Sequence, residues 1–270
     1  MSDADAILVD EVEPGVRRIT LNRPASLNAF TFAMYERLLG VLSDTARDAS
    51  VRVVILTGAG RGFCSGHDLK AAGQSPFVPD GLGKAYADRH NLRGLGTIPL
   101  ALRNLPQPVV AAVNGTAAGI GYTLALAADM AIAAHSAKFV NTIHNAATGT
   151  ELGLSYLLPR AVGAQRAAEL LYTARPVGAE EAERIGLVLR AVDDDRLIEA
   201  ALEIARGIIA NVPLGIWLTK QSLWLNQGVG SLEAAIELES RAVQIAQATG
   251  DAAEKRSAFW DKRPPRFTNS

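Results

Sequence analysis

The chain has 270 residues, 49% hydrophobic and 20% charged, with a formal net charge of −1 and a pI near 6.4. That length supports one large domain or a domain with an appendage, and the near-neutral charge, without a basic stripe interleaved with aromatics, excludes an electrostatic footprint for nucleic acid. A single cysteine, Cys64, excludes an internal disulfide and a cysteine-rich metal site, and His67, His90, His135 and His144 keep no ligand spacing. The expectations are no metal, no membrane span, no signal peptide, and a reducing, cytoplasmic location.

Residues 7–12 and 16–21 flank Glu13-Pro14-Gly15 and predict two strands joined by a turn. Tyr35, Leu38, Leu39 and Leu42 recur at helical spacing, with Asn28 as the N-cap. Residues 53–56 read as a strand ending in a glycine-rich loop, and 73–83 lack any period and read as a mobile loop able to line a pocket. A helix over 92–105 is expected to break at Pro99. Residues 130–134 and 138–140 predict short strands, and 152–158 and 164–172 predict helices interrupted by Pro159 and Gly163. A short helix over 179–185 has Gly186 as its C-terminal cap. From Asp194 onward only helices are needed, with Ser231 and Asp251 as N-caps and Glu254 completing a capping-box-like pair with Asp251. Trp217, Trp224 and Trp260 all fall in this part and suit either a core or a subunit interface.

The chain is organised around residues 109–126. Val109 to Val113 is apolar enough for a strand buried on both faces, Gly115, Gly119 and Gly121 permit a tight turn, and the following run is free of helix breakers. A helix starting there aims its unpaired N–H groups and the positive end of its dipole at the turn, which suits an anion or a developing oxyanion. A second glycine-rich stretch, Gly58 to Lys70, comes after the strand over 53–56. It has neither the Gly-Lys-Ser/Thr ending of a phosphate-binding loop nor the dinucleotide pattern, which argues against nucleotide hydrolysis and nicotinamide chemistry. If the two turns converge, each can offer one backbone N–H to a single oxygen.

The motifs Leu21-Asn22-Arg23-Pro24 with Leu27-Asn28-Ala29, Gly62-Phe63-Cys64-Ser65-Gly66-His67-Asp68-Leu69-Lys70, and Val113-Asn114-Gly115 through Gly119-Ile120-Gly121 resemble, in that order and spacing, the enoyl-CoA hydratase/isomerase (crotonase) family. Leu154 to Arg160, Gly178 to Ala182 and Phe259 to Arg263 continue the likeness, which covers nearly the whole chain. The resemblance implies an α/β fold, a ClpP-like spiral of repeated β-β-α units. Residues 1–195 would form the core with the acyl-CoA site, and 196–270 a helical region for assembly into a homotrimer or dimer of trimers. It implies a coenzyme A thioester as substrate, with coenzyme A part of that substrate and no separate cofactor.

By the same resemblance the thioester carbonyl sits between the amides of His67, after Gly66, and Ile120, between Gly119 and Gly121. Two such donors, each worth about 3 kcal/mol in a water-poor site, would make the α-proton removable. Asp68, Leu69 and Lys70 would lie along the substrate, Lys70 meeting a coenzyme phosphate, while Phe259 and Lys262 would reach its nucleotide end, a neighbouring subunit being one source.

The sequence departs from the hydratase pattern where hydratases carry two glutamates. Those positions fall on Thr123 and Ile143, neither of which can act as a base. Thr123 is left to hydrogen-bond substrate or water, and His144, next to the second position, has acid/base capacity but equally fits a surface role. Glu151 lies near the place where some relatives, including dienoyl-CoA isomerases, carry an acidic catalytic residue, and is the leading acid/base candidate. Its bland alternative is a solvated glutamate in a helix first turn. Cys64 reads as a small buried thiol. The function implied is enoyl-CoA hydration or double-bond isomerisation with one acidic residue. The alternatives are a non-catalytic acyl-CoA-binding protein and a hydrolase of hydroxyacyl-CoA or of a carbon–carbon bond in a diketone.

Overall fold

The computed structural model describes residues 3–70, 75–142 and 149–270. β1 (Ile7–Glu13) and β2 (Val16–Leu21) form the expected antiparallel hairpin and lead to α1 (Phe32–Arg47). Three successive strand pairs come next. β3 (Val53–Gly58) turns into β4 (Gly62–Cys64); after α2 (Lys84–Leu95) and α3 (Thr97–Asn104), β5 (Val109–Val113) turns into β6 (Thr116–Ala118) and α4 (Ile120–Ala127); and β7 (Met130–Ala134) turns into β8 (Lys138–Val140). The chain then runs through α5 (Leu154–Val162), α6 (Ala164–Thr173), β9 (Val177–Gly178), α7 (Ala179–Arg184) and β10 (Ala191–Val192). α8 (Leu197–Ile209), α9 (Pro213–Asn226), α10 (Leu232–Gln247) and α11 (Gly250–Trp260) complete it.

Each of the three pairs gives its first strand to one sheet and its second to another. The larger sheet has the order β1-β2-β3-β5-β7-β10, parallel from β2 onward, and the smaller the order β4-β6-β8-β9, with only β8 and β9 antiparallel. β3 and β5 are buried at every residue, as unbroken apolar runs in a parallel sheet require. One face of the larger sheet packs on α1, α3 and α4. The other, through Val16, Val53, Ile55, Val110, Ala112, Ile132 and Ala134, is covered by Leu197, Ala200, Ala201 and Ala205 of α8. The first helix beyond residue 196 therefore belongs to the core of the sheet, and the core does not end where the composition shifts.

Several local expectations are corrected. Asn28 does not cap α1; Thr31 does, accepting from the Met34 N–H. Asn28 is instead fully buried in the left-handed region (φ 59), a conformation asparagine tolerates. Its Oδ1 accepts from the Arg23 N–H at 2.8 Å and its Nδ2 donates to the carbonyls of Ala59 and Gly62 at 3.0 and 2.7 Å. The helical break falls at Gly96, not Pro99, because Pro99 sits in the first turn of α3, where its missing N–H has no partner to lose. Pro159 lies inside α5 without ending it; buried Leu154 and Leu158 hold that helix to the core. Thr249, not Asp251, caps α11. The Asp251 carboxylate is buried and binds the N–H groups of Thr268 and Asn269, while Glu254 pairs with Arg263.

Trp224 donates to Asp129 at 2.8 Å, whereas Trp260 is largely exposed in the single chain. Among the described residues no single helix is long and apolar enough to cross a membrane. Replacing Asn28 with Ala removes three bonds to backbone at one buried point, and the variant should lose about 3 kcal/mol of stability in urea unfolding. An unchanged midpoint would show that this asparagine does not hold the corner together.

Candidate active site

The two glycine turns are brought together by the smaller sheet. β4 and β6 run parallel, with Cys64 opposite Ala117, so the segments leaving them emerge on one edge side by side. Asn114 ties the preceding turns to each other: its Oδ1 accepts from the Gly58 N–H at 3.0 Å and its Nδ2 donates to the Gly60 carbonyl at 2.8 Å. A Cβ placed on Gly119 would stand 3.5 Å from the Gly66 Cα and 3.0 Å from the Thr142 hydroxyl. One placed on Gly121 would meet the Cys64 carbonyl oxygen at 2.2 Å, so only glycine fits there. Gly119 itself has φ 52 and ψ −118, a conformation that favours glycine.

Local pairing decides where the His67 amide points. Phe30 and His67 form a parallel bridge, in which the Phe30 N–H donates to the Gly66 carbonyl and the Asp68 N–H donates to the Phe30 carbonyl, each at 2.8 Å. In such a bridge the N–H of the central residue faces the opposite side. Among the described residues the His67 N–H accordingly has no backbone acceptor, and neither does that of Ile120, the first residue of α4. Ile120 sits at the positive end of the helix dipole. The arrangement can offer two free backbone donors beside the contact of Gly66 with Gly119.

Around them, Asp68 is half-buried, paired with Arg23 at 2.9 Å and accepting from the Lys70 N–H, so it braces its own loop. Leu69 and Lys70 are exposed. Thr123 is buried one turn into α4, its N–H bonded to the Gly119 carbonyl. Cys64 is fully buried and desolvation pushes its thiol up to about 12, so it is no nucleophile. Glu151 does not lie in a first helical turn: α5 begins at Leu154, and the chain between passes through left-handed Leu152 and Gly153. Its side chain is exposed in the single chain, yet desolvation by its surroundings raises the carboxyl above its ordinary value. Its charge also reaches the buried Tyr35, whose phenol is raised first by burial and then by Cys64 and Glu151.

Tyr35 connects the pieces. Its ring is 5.9 Å from that of His67 and 6.4 Å from Phe77, and Phe32 is 5.0 Å from His67. Helical spacing marked Tyr35 as core and gave no sign that it borders the site, because that signal arises only when α1 is packed against residues 66–67. Thr142 likewise had no sequence signal. Ile143 and His144 lie outside the described residues. Phe259 and Lys262 are exposed at the end of the C-terminal helices, and among the described residues no hydrogen bond links their backbone to residues 66–70. A cavity of about 410 Å³ lined by Arg52, Gln107, Trp217 and Asp251 lies at the opposite, N-terminal ends of β3 and β5, away from both corners. Among the described residues no three His, Cys, Asp or Glu side chains gather as a metal site.

Fold and corners together define a crotonase-fold protein, and comparison with known proteins agrees. A structure of a probable enoyl-CoA hydratase/isomerase from Mycobacterium abscessus superposes with a TM-score of 0.90 at 39% identity, over 97% of this chain and 98% of that one. The family model for enoyl-CoA hydratase/isomerase matches residues 11–270, and the chain belongs to that family. It is 45% identical to a probable enoyl-CoA hydratase from Mycobacterium bovis, over 99% of this chain and 94% of the relative. It is also 38% identical to the 1,2-epoxyphenylacetyl-CoA isomerase of Escherichia coli, over 97% of this chain and 98% of the relative.

Gly121→Ala should lose about 3 kcal/mol or more, because its Cβ can escape the Cys64 carbonyl only by moving the two corners apart. Gly207→Ala on α8, where a Cβ meets nothing within 4 Å, should be neutral or slightly stabilising. Urea midpoints of the two variants check the pair.

Proposed function

We propose that the chain is an acyl-CoA enzyme that holds a thioester carbonyl between the His67 and Ile120 amides and isomerises a double bond through the enolate, with Glu151 as the proton shuttle. The observation carrying this reading is the close approach of two glycine corners that each leave a backbone N–H without a backbone acceptor among the described residues. Donors fixed by the fold before substrate arrives stabilise charge that develops on the oxygen, without reorganisation during the reaction. Glu151 as carboxylate takes a proton from one end of the three-carbon unit and returns it to the other, so no proton is gained or lost overall. With a neutral Thr123 at one hydratase glutamate position, one carboxylate suits isomerisation better than two-base hydration. The isomerase among the relatives is named for a coenzyme A thioester, which supports the acyl-CoA part of this reading.

The substrate brings the coenzyme with it, so no separate cofactor enters this reading. Lys70 and, from an adjoining copy, Phe259 and Lys262 are the residues proposed to meet the coenzyme. The apolar side chains that α9, α10 and α11 leave uncovered, among them Leu223, Leu232, Ile236, Phe259 and Trp260, are proposed to be buried between copies of the chain. Its reduced, buried Cys64 fits the cytoplasmic placement proposed from cysteine usage.

Glu151→Gln should lower kcat about 10²- to 10⁴-fold on a β,γ-enoyl-CoA with little change in KM. Equal turnover by the variant would reject Glu151 as the shuttle, and saturable acyl-CoA binding without turnover by the native chain would replace catalysis with binding alone. Because the carboxyl is raised and the working form is the carboxylate, kcat should fall as pH drops through a value above the ordinary 4.5 of a glutamate, and Glu151→Gln should lose that limb. Sedimentation should give about three or six times the 28.5 kDa chain mass, and a monomer at micromolar concentration would overturn the proposed assembly.

A further inference from the structure

A second cavity lies at the opposite end of α4 from Ile120, about 10 Å away along the helix. It holds about 180 Å³ and is walled by Leu126, Leu157 and Leu187, by Trp224 of α9, and by Arg103 and Arg160. Nothing in the acyl-CoA reading uses it.

Asp129 is the one carboxylate in its wall, and it is already neutralised: Lys220 stands 2.8 Å from it, and the Val109 N–H and the Trp224 indole both donate to it. The carbonyl end of α4, which by itself would repel an anion, is met by Arg103, whose Nη2 donates to the Leu126 carbonyl. The two arginines are not balanced in this way, and among the described residues neither forms an ion pair. Arg103 lies against the Trp224 ring, 3.2 Å from its centroid, with Nε and Nη1 buried and lacking an acceptor. Desolvation lowers its guanidinium to about 10 while Asp129 and Tyr156 oppose, so it stays charged at neutral pH in a place that disfavours an unpaired cation. Arg160 is exposed, stacks 3.4 Å from the centroid of the Tyr156 ring, and donates from Nη1 to the Tyr156 carbonyl. Tyr156 thus bears on both arginines.

We propose that this cavity is a binding site for a short-chain carboxylate, its charge held between Arg103 and Arg160 and its hydrocarbon part against Leu126, Leu157 and Leu187. Two cations that the chain leaves unpaired set a positive potential, which favours an anion over a neutral or cationic guest. Guanidinium groups match the planar geometry of a carboxylate. The leucine walls add a preference for a guest with an apolar body over a bare inorganic anion. Size narrows the class further. Pockets for drug-sized ligands run from about 300 to 1,000 Å³, so this smaller one suits a guest of a few carbons rather than a nucleotide or a long acyl chain.

The test titrates the full chain, labelled with fluorotryptophan, with butanoate at constant ionic strength and follows the ¹⁹F signal of Trp224, assigned with Trp224→Phe. The signal should shift saturably with a midpoint of about a millimolar, and butanol and butylamine should leave it in place. Inorganic phosphate should bind more weakly than butanoate, and butanoyl-CoA should not displace it. Arg160→Gln should weaken butanoate at least about fivefold, and Arg103→Gln should abolish the shift. Because Arg160 is exposed, its variant keeps the test decisive even where Arg103→Gln fails to fold. No saturable shift, an equal response to butanol, tighter phosphate binding or an unchanged midpoint in Arg160→Gln would overturn the assignment. Displacement by butanoyl-CoA would place the butanoate in the acyl site and overturn it too. So would a native protein that ignores butanoate while Arg160→Gln loses sedimentation mass, since a carboxylate from a second copy would then fill the cavity.

Discussion

The parallel pairing of two three-residue strands, β4 and β6, is the constraint on which the site depends. Strands this short contribute little stability of their own. Their placement comes from the longer, wholly buried β3 and β5, which deliver them through turns cross-linked by Asn28 and Asn114. Because parallel strands end on the same edge, the chain after Cys64 and the chain after Ala118 must leave side by side. The close approach of Cys64 to Gly121 then locks the spacing, since there is no room for even one additional carbon atom. A catalytic arrangement built from main chain needs this kind of enforcement, because no side-chain rotamer can correct an amide that points the wrong way.

Around those amides the side chains of Cys64, Tyr35 and His67 are held toward their neutral forms. Cys64 and Tyr35 keep their protons because burial disfavours the ionised forms, and His67 is pushed toward its neutral form by the same cause. Asp68 is charged but held by Arg23. That leaves Glu151 as the one carboxylate bearing on the cluster with no ion pair among the described residues. An enolate formed there would be stabilised by oriented N–H dipoles, with little competition from nearby fixed charge, and dipoles are most effective where water is scarce.

The fold was legible in the sequence where burial is periodic or complete. The hairpin, β3, β5, β7 and every C-terminal helix arise from apolar runs and 3.6-residue spacing. What could not be read were interactions whose partners are distant in the chain. Asn28 has the side chain of a helix cap, but its partners at Ala59 and Gly62 lie more than thirty residues away, and the nearby Thr31 took the cap instead. Asp251 similarly looks like a local cap, yet it receives the chain's last residues. The glycine corners were legible as turns, and their convergence depends on the register of β4 against β6, which no local pattern encodes. β6 itself, three residues between two glycine turns, is too short for alternation to declare it.

The C-terminal helices bear on the site through a buried charge pair. Lys220 of α9 sits 2.8 Å from Asp129 and also donates to the carbonyls of Leu102 and Gln107, while Asp129 accepts from the Val109 N–H and from Trp224. Desolvation lowers the Lys220 ammonium, and the pair is retained because every strong donor and acceptor in it is matched. Val109 is the first residue of β5, and β5 leads directly to Asn114 and the turn that presents Ile120. With α8 covering one face of the same strand and Lys220 and Asp129 fixing its start, the position of the second amide is set partly by residues beyond 196. The helical region is thus part of what aims the donor, whatever else its exposed apolar face meets.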